Sequence, residues 1–146
     1  MKTIHKSIEI TAPKEKVWMV LLEEAYIKDW YQSFGEGITA ETDWIEGHRV
    51  RFSDGSNSGL TGIIAEKKPY EKITFRYEGI ITNNVEDRES EKAKAIAGSE
   101  ETYALSEENG NTWLSVSLDI DERYYDDMAM MWEVALQRIS ELAQAI

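Results

Sequence analysis

The chain contains no cysteine, which excludes disulfides, thiolate nucleophiles and cysteine-ligated zinc together. Its two histidines, His5 and His48, fall on different predicted strands without ligand spacing, so no metal site is expected. Basic side chains number 16 against 28 acidic ones, a net charge of −12. A nucleic-acid partner, which needs clustered Lys and Arg, is therefore excluded, and an anionic membrane surface is disfavoured for the same reason. No run approaches the roughly 20 apolar residues of a membrane span. Residues Met1 to Ile10 hold no unbroken apolar stretch of the signal-peptide kind, and a cysteine-free chain suits the cytoplasm.

Chemical motifs are scarce as well. Gly55-Ser56-Asn57-Ser58-Gly59 has the outline of a nucleophile elbow, but Asn57 stands where the nucleophile belongs, so the stretch reads as a turn. There is no lysine-ending phosphate loop and no dinucleotide fingerprint, and no cofactor is expected. The Asp119, Asp121, Asp126, Asp127 cluster lacks the spacing and central glycine of a calcium loop; helix capping and solvation account for it. No catalytic residue is assigned.

What is present is pattern. A chain of 146 residues has the size of a single domain, here 1–146. Residues 3–10 alternate, with Ile4, Lys6, Ile8 and Ile10 on one face, and predict a strand. Thr11-Ala12-Pro13 opens a helix whose buried face is Val17, Trp18, Leu21 and Leu22. A second short helix over 23–31 turns Tyr26, Ile27 and Trp30 inward and ends at Gly35 and Gly37. Period-two patterning then predicts strands at 38–44, 48–53, 59–67, 71–82, 99–107 and 112–120. Between the fourth and fifth of these, Asn83 to Ala97 fits neither period. It reads as a solvated loop, a short surface helix, or a flap over a cavity mouth. Finally Tyr125, Met128, Trp132, Ala135, Ile139, Leu142 and Ile146 recur at 3-4-3-4-3-4 spacing, one apolar stripe on a helix of roughly 33 Å. The order is α+β with an antiparallel sheet. The sheet's inner face is the surface wide enough to take that stripe.

That order, β-α-α-β6-α, resembles the START-like, or helix-grip, superfamily, in which a curved sheet wraps a long C-terminal helix. The residues Ile8-Glu9-Ile10-Thr11-Ala12-Pro13 through Val17-Trp18, Trp30, Asp43-Trp44-Ile45-Glu46-Gly47, Val50-Arg51-Phe52, Gly62, the Pro69-to-Phe75 turn, Thr112-x-Leu114-x-Val116 and Trp132 carry the likeness over nearly the whole chain. Within the superfamily they are similar to the family named after the activator of the ninety-kilodalton heat-shock protein ATPase, in its bacterial single-domain form. Met131 departs from the glycine that many relatives place before the final-helix Trp, and 83–97 is longer than the usual connection. Such relatives include lipid carriers and polyketide cyclases. The resemblance implies a cavity between sheet and helix but no particular reaction.

Alternation places Ile73, Phe75, Tyr77 and Gly79 on the inner face and Lys72, Thr74, Arg76 and Glu78 in solvent. Val50 and Phe52 face inward, as do Leu114, Val116, Leu118 and Ile120, and so do Tyr103, Leu105 and Glu101. Glu101 is the oddity: a carboxylate on an apolar face is costly unless paired, hydrated or protonated. Either it reaches water at the strand end, or a bulge turns it out, or it is a polar anchor with Tyr77 and Tyr103 as partners. The candidate ligand-binding set is Trp30, Trp44, Phe52, Phe75 and Tyr77, with Glu101, Tyr103, Met128, Met131 and Trp132. The expected partner is a small hydrophobic or amphipathic molecule. One alternative is an enzyme of cyclase, hydrolase or isomerase type with Glu101 as acid/base. Another is a chaperone-associated module that takes a protein partner on the acidic surface. In the final helix, Ala135 to Ile146 is expected to pack as core, and Met128 to Trp132 to border the pocket.

Overall fold

The structure, a computed structural model, describes all residues 1–146. Strand β1 (Lys2–Ile10) leads through Pro13 into α1 (Lys14–Leu22) and α2 (Glu24–Trp30), which ends in a 3₁₀ turn over Tyr31–Ser33. Six further strands and a small helix follow: β2 (Thr39–Glu41), β3 (Arg49–Ser53), β4 (Gly59–Lys68), β5 (Lys72–Thr82), β6 (Val85–Asp87), α3 (Glu91–Ile96) and β7 (Glu100–Glu108). The chain closes with β8 (Asn111–Ile120) and α4 (Tyr125–Gln144). The eight strands form one antiparallel sheet in the order β1-β8-β7-β5-β4-β3-β2, with β6 added to β5. The long helix lies against its inner face, which is the helix-grip arrangement.

Curvature comes from the β4–β5 pair. The register shifts between Thr61 and Gly62, where Glu78 is the extra residue on β5, and again between Ile64 and Glu66, where Ala65 is the extra residue on β4, and such bulges bend the strand that carries them. Gly62 is required there, because a Cβ would lie 2.2 Å from the carbonyl oxygen of Arg76. Inside the bend, Ile4, Ile10, Val50, Ile64, Ile73, Phe75, Leu114 and Val116 meet Trp132, Ala135, Leu136, Ile139 and Ala143 of α4 in one core. Each fully buried Leu, Ile or Phe side chain contributes about 1.5–3 kcal/mol. Two ties fix the helices to one another. The indole N–H of Trp30 donates to the Val20 carbonyl at 2.9 Å. Arg138 grips Asp29 through two parallel hydrogen bonds of 2.6 and 2.7 Å.

Several expectations need correction. The strand predicted at 38–44 shrinks to Thr39–Glu41, and Trp44 takes a left-handed backbone with φ of 62°. Residues 83–97 are neither plain loop nor plain helix: they supply an extra strand, β6, as well as α3. Thr74 is buried, its hydroxyl 2.9 Å from that of Thr102 on the outer face. The final helix ends two residues early, and Ile146, expected in the core, is 41 % exposed. Leu136 and Ala143 take the places beside the stripe, since a helix in a concave sheet buries more than a single line of residues.

Replacing Gly62 by Ala should lower unfolding free energy by about 1–3 kcal/mol, the usual cost of forcing an atom into a packed site. Urea denaturation measures it; an unchanged midpoint would show that the bulge does not depend on this glycine.

Candidate functional site

Register brings the polar centre of the inner face together. Glu101 on β7 stands opposite Phe75 of β5 and opposite Leu118 of β8. Tyr77 lies two residues beyond Phe75 on the same face, and Tyr103 two beyond Glu101. Both hydroxyls donate to one oxygen, Oε2 of Glu101, at 2.9 Å from Tyr77 and 3.2 Å from Tyr103. The other oxygen, Oε1, receives no donor from the protein yet is not sealed off. Glu101 is 8 % exposed, so neither the strand-end alternative nor the outward bulge describes it. Burial pushes its carboxyl from the ordinary 4.5 up to about 7, against the opposing pull of the two tyrosine hydroxyls. Burial and the neighbouring Glu101 charge together raise Tyr77 and Tyr103 well above the usual phenol range, which keeps both as donors.

Glu101 opens onto a cavity of about 1180 Å³ lined by 24 residues, 17 of them hydrophobic. That volume is slightly above the usual range for small-molecule sites, roughly 300–1,000 Å³. Of the candidates read from sequence, Trp30, Phe52, Tyr77, Glu101, Tyr103, Met128 and Trp132 border it. Trp44 and Phe75 stand one layer back. Phe75 packs on Tyr103 and Phe52 with ring centres 5.7 and 5.3 Å apart, and Trp44 packs on Phe75 at 6.2 Å. Met131 is not brought to the cavity. It lies on the flank of α4, in a shallow groove with Ser33, Met130 and Arg138, because a step of one residue from Trp132 turns a side chain by roughly 100° around the helix.

Sequence reasoning missed the residues contributed by irregular segments. Tyr31 and Phe34, from the turn after α2, line the cavity, as does Ile38. Leu60 and Ile80 line it from β4 and β5: the extra residue Glu78 reverses the alternation, so Ile80 faces inward and Gly79, expected there, lies under Asp87 and Arg88. Tyr31 is buried, and its hydroxyl is raised above the usual range by burial and by the Glu101 charge. A longer reading of the Trp30-Tyr31-x-x-Phe34 spacing would have exposed this pair. Glu91, Lys92, Ala95 and Ile96 of α3 form one side of the mouth, and Asp121 to Tyr124 form the other. The 83–97 excursion thus borders the cavity. It is held to the outer face of the sheet by Glu86, which accepts from the Thr61 hydroxyl at 2.6 Å and pairs with Arg49.

Trp132 is 2 % exposed, and its indole N–H has no hydrogen-bond partner. Its ring has Phe34 at 4.9 Å, Tyr103 at 5.6 Å and Trp30 at 6.0 Å between centres. The inner end of the cavity is therefore an aromatic box with one carboxyl in its wall.

The model of the family described as activator of Hsp90 ATPase homolog 1-like protein matches residues 11–144. The chain belongs to this family. No curated protein matches it. Among solved structures, protein MLL2253 from Mesorhizobium loti superposes with a TM-score of 0.76 at 17 % identity, over 99 % of this chain and 98 % of that one. The Aha1 dimer from Colwellia psychrerythraea gives 0.72 at 14 % identity, over 97 % and 95 %. CalU16 from Micromonospora echinospora gives 0.67 at 21 % identity, over 97 % and 75 %. Likeness at these identities is a likeness of fold.

The raised carboxyl has a consequence for stability. Between pH 4.5 and about 7 the folded protein keeps a proton that the unfolded chain has lost. Stability therefore falls as pH rises through that window and stays lower above it, by about 3 kcal/mol for a shift of this size. Glu101→Gln cannot ionise. Its stability relative to the unsubstituted protein should be higher at pH 8 than at pH 5 by a similar amount, measured by urea denaturation at both pH values. An equal difference at the two would mean that Glu101 is not buried.

Proposed function

We propose that residues 1–146 act as one ligand-binding domain that holds a small apolar or amphipathic molecule between the sheet and the N-terminal half of α4. The observation that carries this reading is the union of a large, mostly apolar cavity with a single buried carboxyl whose second oxygen is free. The rings of Phe52, Tyr103 and Trp132 supply apolar area, with Trp30 packed behind them, and aromatic side chains do so at low entropic cost. Met128 adapts to the shape of the occupant. Glu101, set by Tyr77 and Tyr103, orients its polar end.

The uncharged dye Nile red serves as a probe. Binding should shift its emission to the blue and move the amide resonances of Leu60, Leu118 and Met128, while those of Ile139 and Ala143 stay in place. Ile80→Trp, which puts an indole at the cavity wall, should weaken binding by at least about tenfold. Shifts confined to the outer face, or full-strength binding by Ile80→Trp, would sink the proposal.

A second reading keeps the cavity and makes Glu101 a proton donor and acceptor. A carboxyl near pH 7 is matched to that work. On this reading Glu101→Gln abolishes turnover of a cavity ligand while Nile red still binds; retained turnover removes it.

A further inference from the structure

The cavity's interior chemistry is one-sided. Its deep wall holds a carboxyl, Glu101, and no basic side chain. The titratable groups that face Glu101 are Tyr77 from β5, Tyr103 from its own strand and Tyr31 from the turn after α2. From β8 the facing residue is Leu118, and from α4 the cavity receives Met128 and Trp132. The cationic side chains lining the cavity, Lys92 and Arg123, are at the mouth, and Arg123 is already paired with Asp121 at 2.8 Å.

Two further observations bear on the occupant. The tyrosine hydroxyls both point their protons at Oε2, an arrangement that favours the ionised carboxylate over the acid. It also leaves Oε1 as an acceptor directed at the cavity. The cavity onto which Glu101 opens is lined also by Tyr31, Phe52, Tyr103 and Trp132, and ring faces attract a cation electrostatically. A carboxylate with aromatic walls complements a protonated nitrogen on an apolar body. It repels an anionic head such as a carboxylate or phosphate.

Resting on the binding reading above, we infer that the cavity selects lipophilic amines: its ligand carries one protonated nitrogen that pairs with Oε1 of Glu101 and sits among the aromatic rings. Near neutrality the pairing costs little ionisation energy, because the Glu101 carboxyl titrates at about 7. A cation next to it completes the ionisation.

Three probes with one ring system separate charge from shape: 1-naphthylmethylamine, 1-naphthalenemethanol and 1-naphthoate, titrated into the full chain and followed by amide NMR. At pH 8 the amine should bind about tenfold tighter than the alcohol, in line with a partly desolvated cation–π and ion-pair contact, and the naphthoate weakest. At pH 5.5, where Glu101 is protonated, the amine's advantage should vanish. Glu101→Gln should abolish it at both pH values while the alcohol still binds. An alcohol that equals the amine at pH 8 overturns the inference and leaves the cavity as a neutral site. An amine advantage that survives in Glu101→Gln assigns the attraction to the acidic surface and overturns it too. If none of the three perturbs Leu60, Leu118 or Met128, the inference and the underlying binding reading fall together. Should Glu101→Gln not fold, the pH comparison on the unsubstituted chain decides alone.

Discussion

The contact between α4 and the bent sheet governs the rest of the molecule. A 20-residue helix is a nearly straight rod of about 30 Å, and a sheet bent by two bulges is not flat along that length. The two surfaces cannot touch equally at both ends. At the C-terminal half Ala135, Ile139 and Ala143 are small or slender and fully buried, so the helix backbone comes down close against β1 and α1. At the N-terminal half Met128 and Trp132 stand between helix and sheet, and space remains beyond them. The cavity is thus a consequence of geometry at one end of a well-packed interface. The Arg138–Asp29 grip and the Trp30–Val20 hydrogen bond hold the helix pair on the packed side, where rigidity costs the cavity nothing.

The carboxyl in that space works against folding. With two donors on one oxygen, Glu101 recovers part of the cost of leaving water, and its raised titration point shows that it does not recover all of it. An apolar residue on this face would pack without that penalty. Strain or unfavourable burial of this kind concentrates where a protein uses it. Here the penalty falls on the one group whose free oxygen faces an otherwise oily chamber.

The regular parts of this arrangement were legible because periodicity is local. Alternation in β1, β5, β7 and β8 assigns Ile73, Phe75, Tyr77, Glu101, Tyr103 and Leu118 to one face, and antiparallel pairing then stacks them. The α4 stripe was legible for the same reason. The irregular parts were not. Trp44 sits at positive φ beyond a three-residue strand, where alternation no longer determines direction. Met131 looks equivalent to Met128 by composition, but the roughly 60° between them on the helix carries it past the edge of the buried face into a separate groove. Thr74 is covered on the outer face of the sheet, which period two alone assigns to solvent. Phe34 and Tyr31 come from a 3₁₀ turn whose three-residue period matches neither template.

The excursion 83–97 shows why a break in pattern can matter more than the pattern. Strand β7 pairs with β5 only along Lys72–Arg76, and β6 takes the same edge along Ile80–Thr82. Between these two partners the edge of β5 is bridged by Tyr77 alone, whose backbone exchanges hydrogen bonds with Gly98 and Ser99. The chain leaves and rejoins the sheet around the residue that donates to Glu101, and the detour deposits α3 at the cavity mouth. Had β7 followed β5 through a tight hairpin, pairing would have run on past Arg76 and this edge would carry no helix. Charged, helix-prone residues such as Glu91 and Lys92 suit a segment with one side on solvent and Ala95 and Ile96 on the opening. The length of the insertion therefore fixes both the backbone anchor of Tyr77 and the shape of the entrance, which couples access to the site with the group that sets its charge.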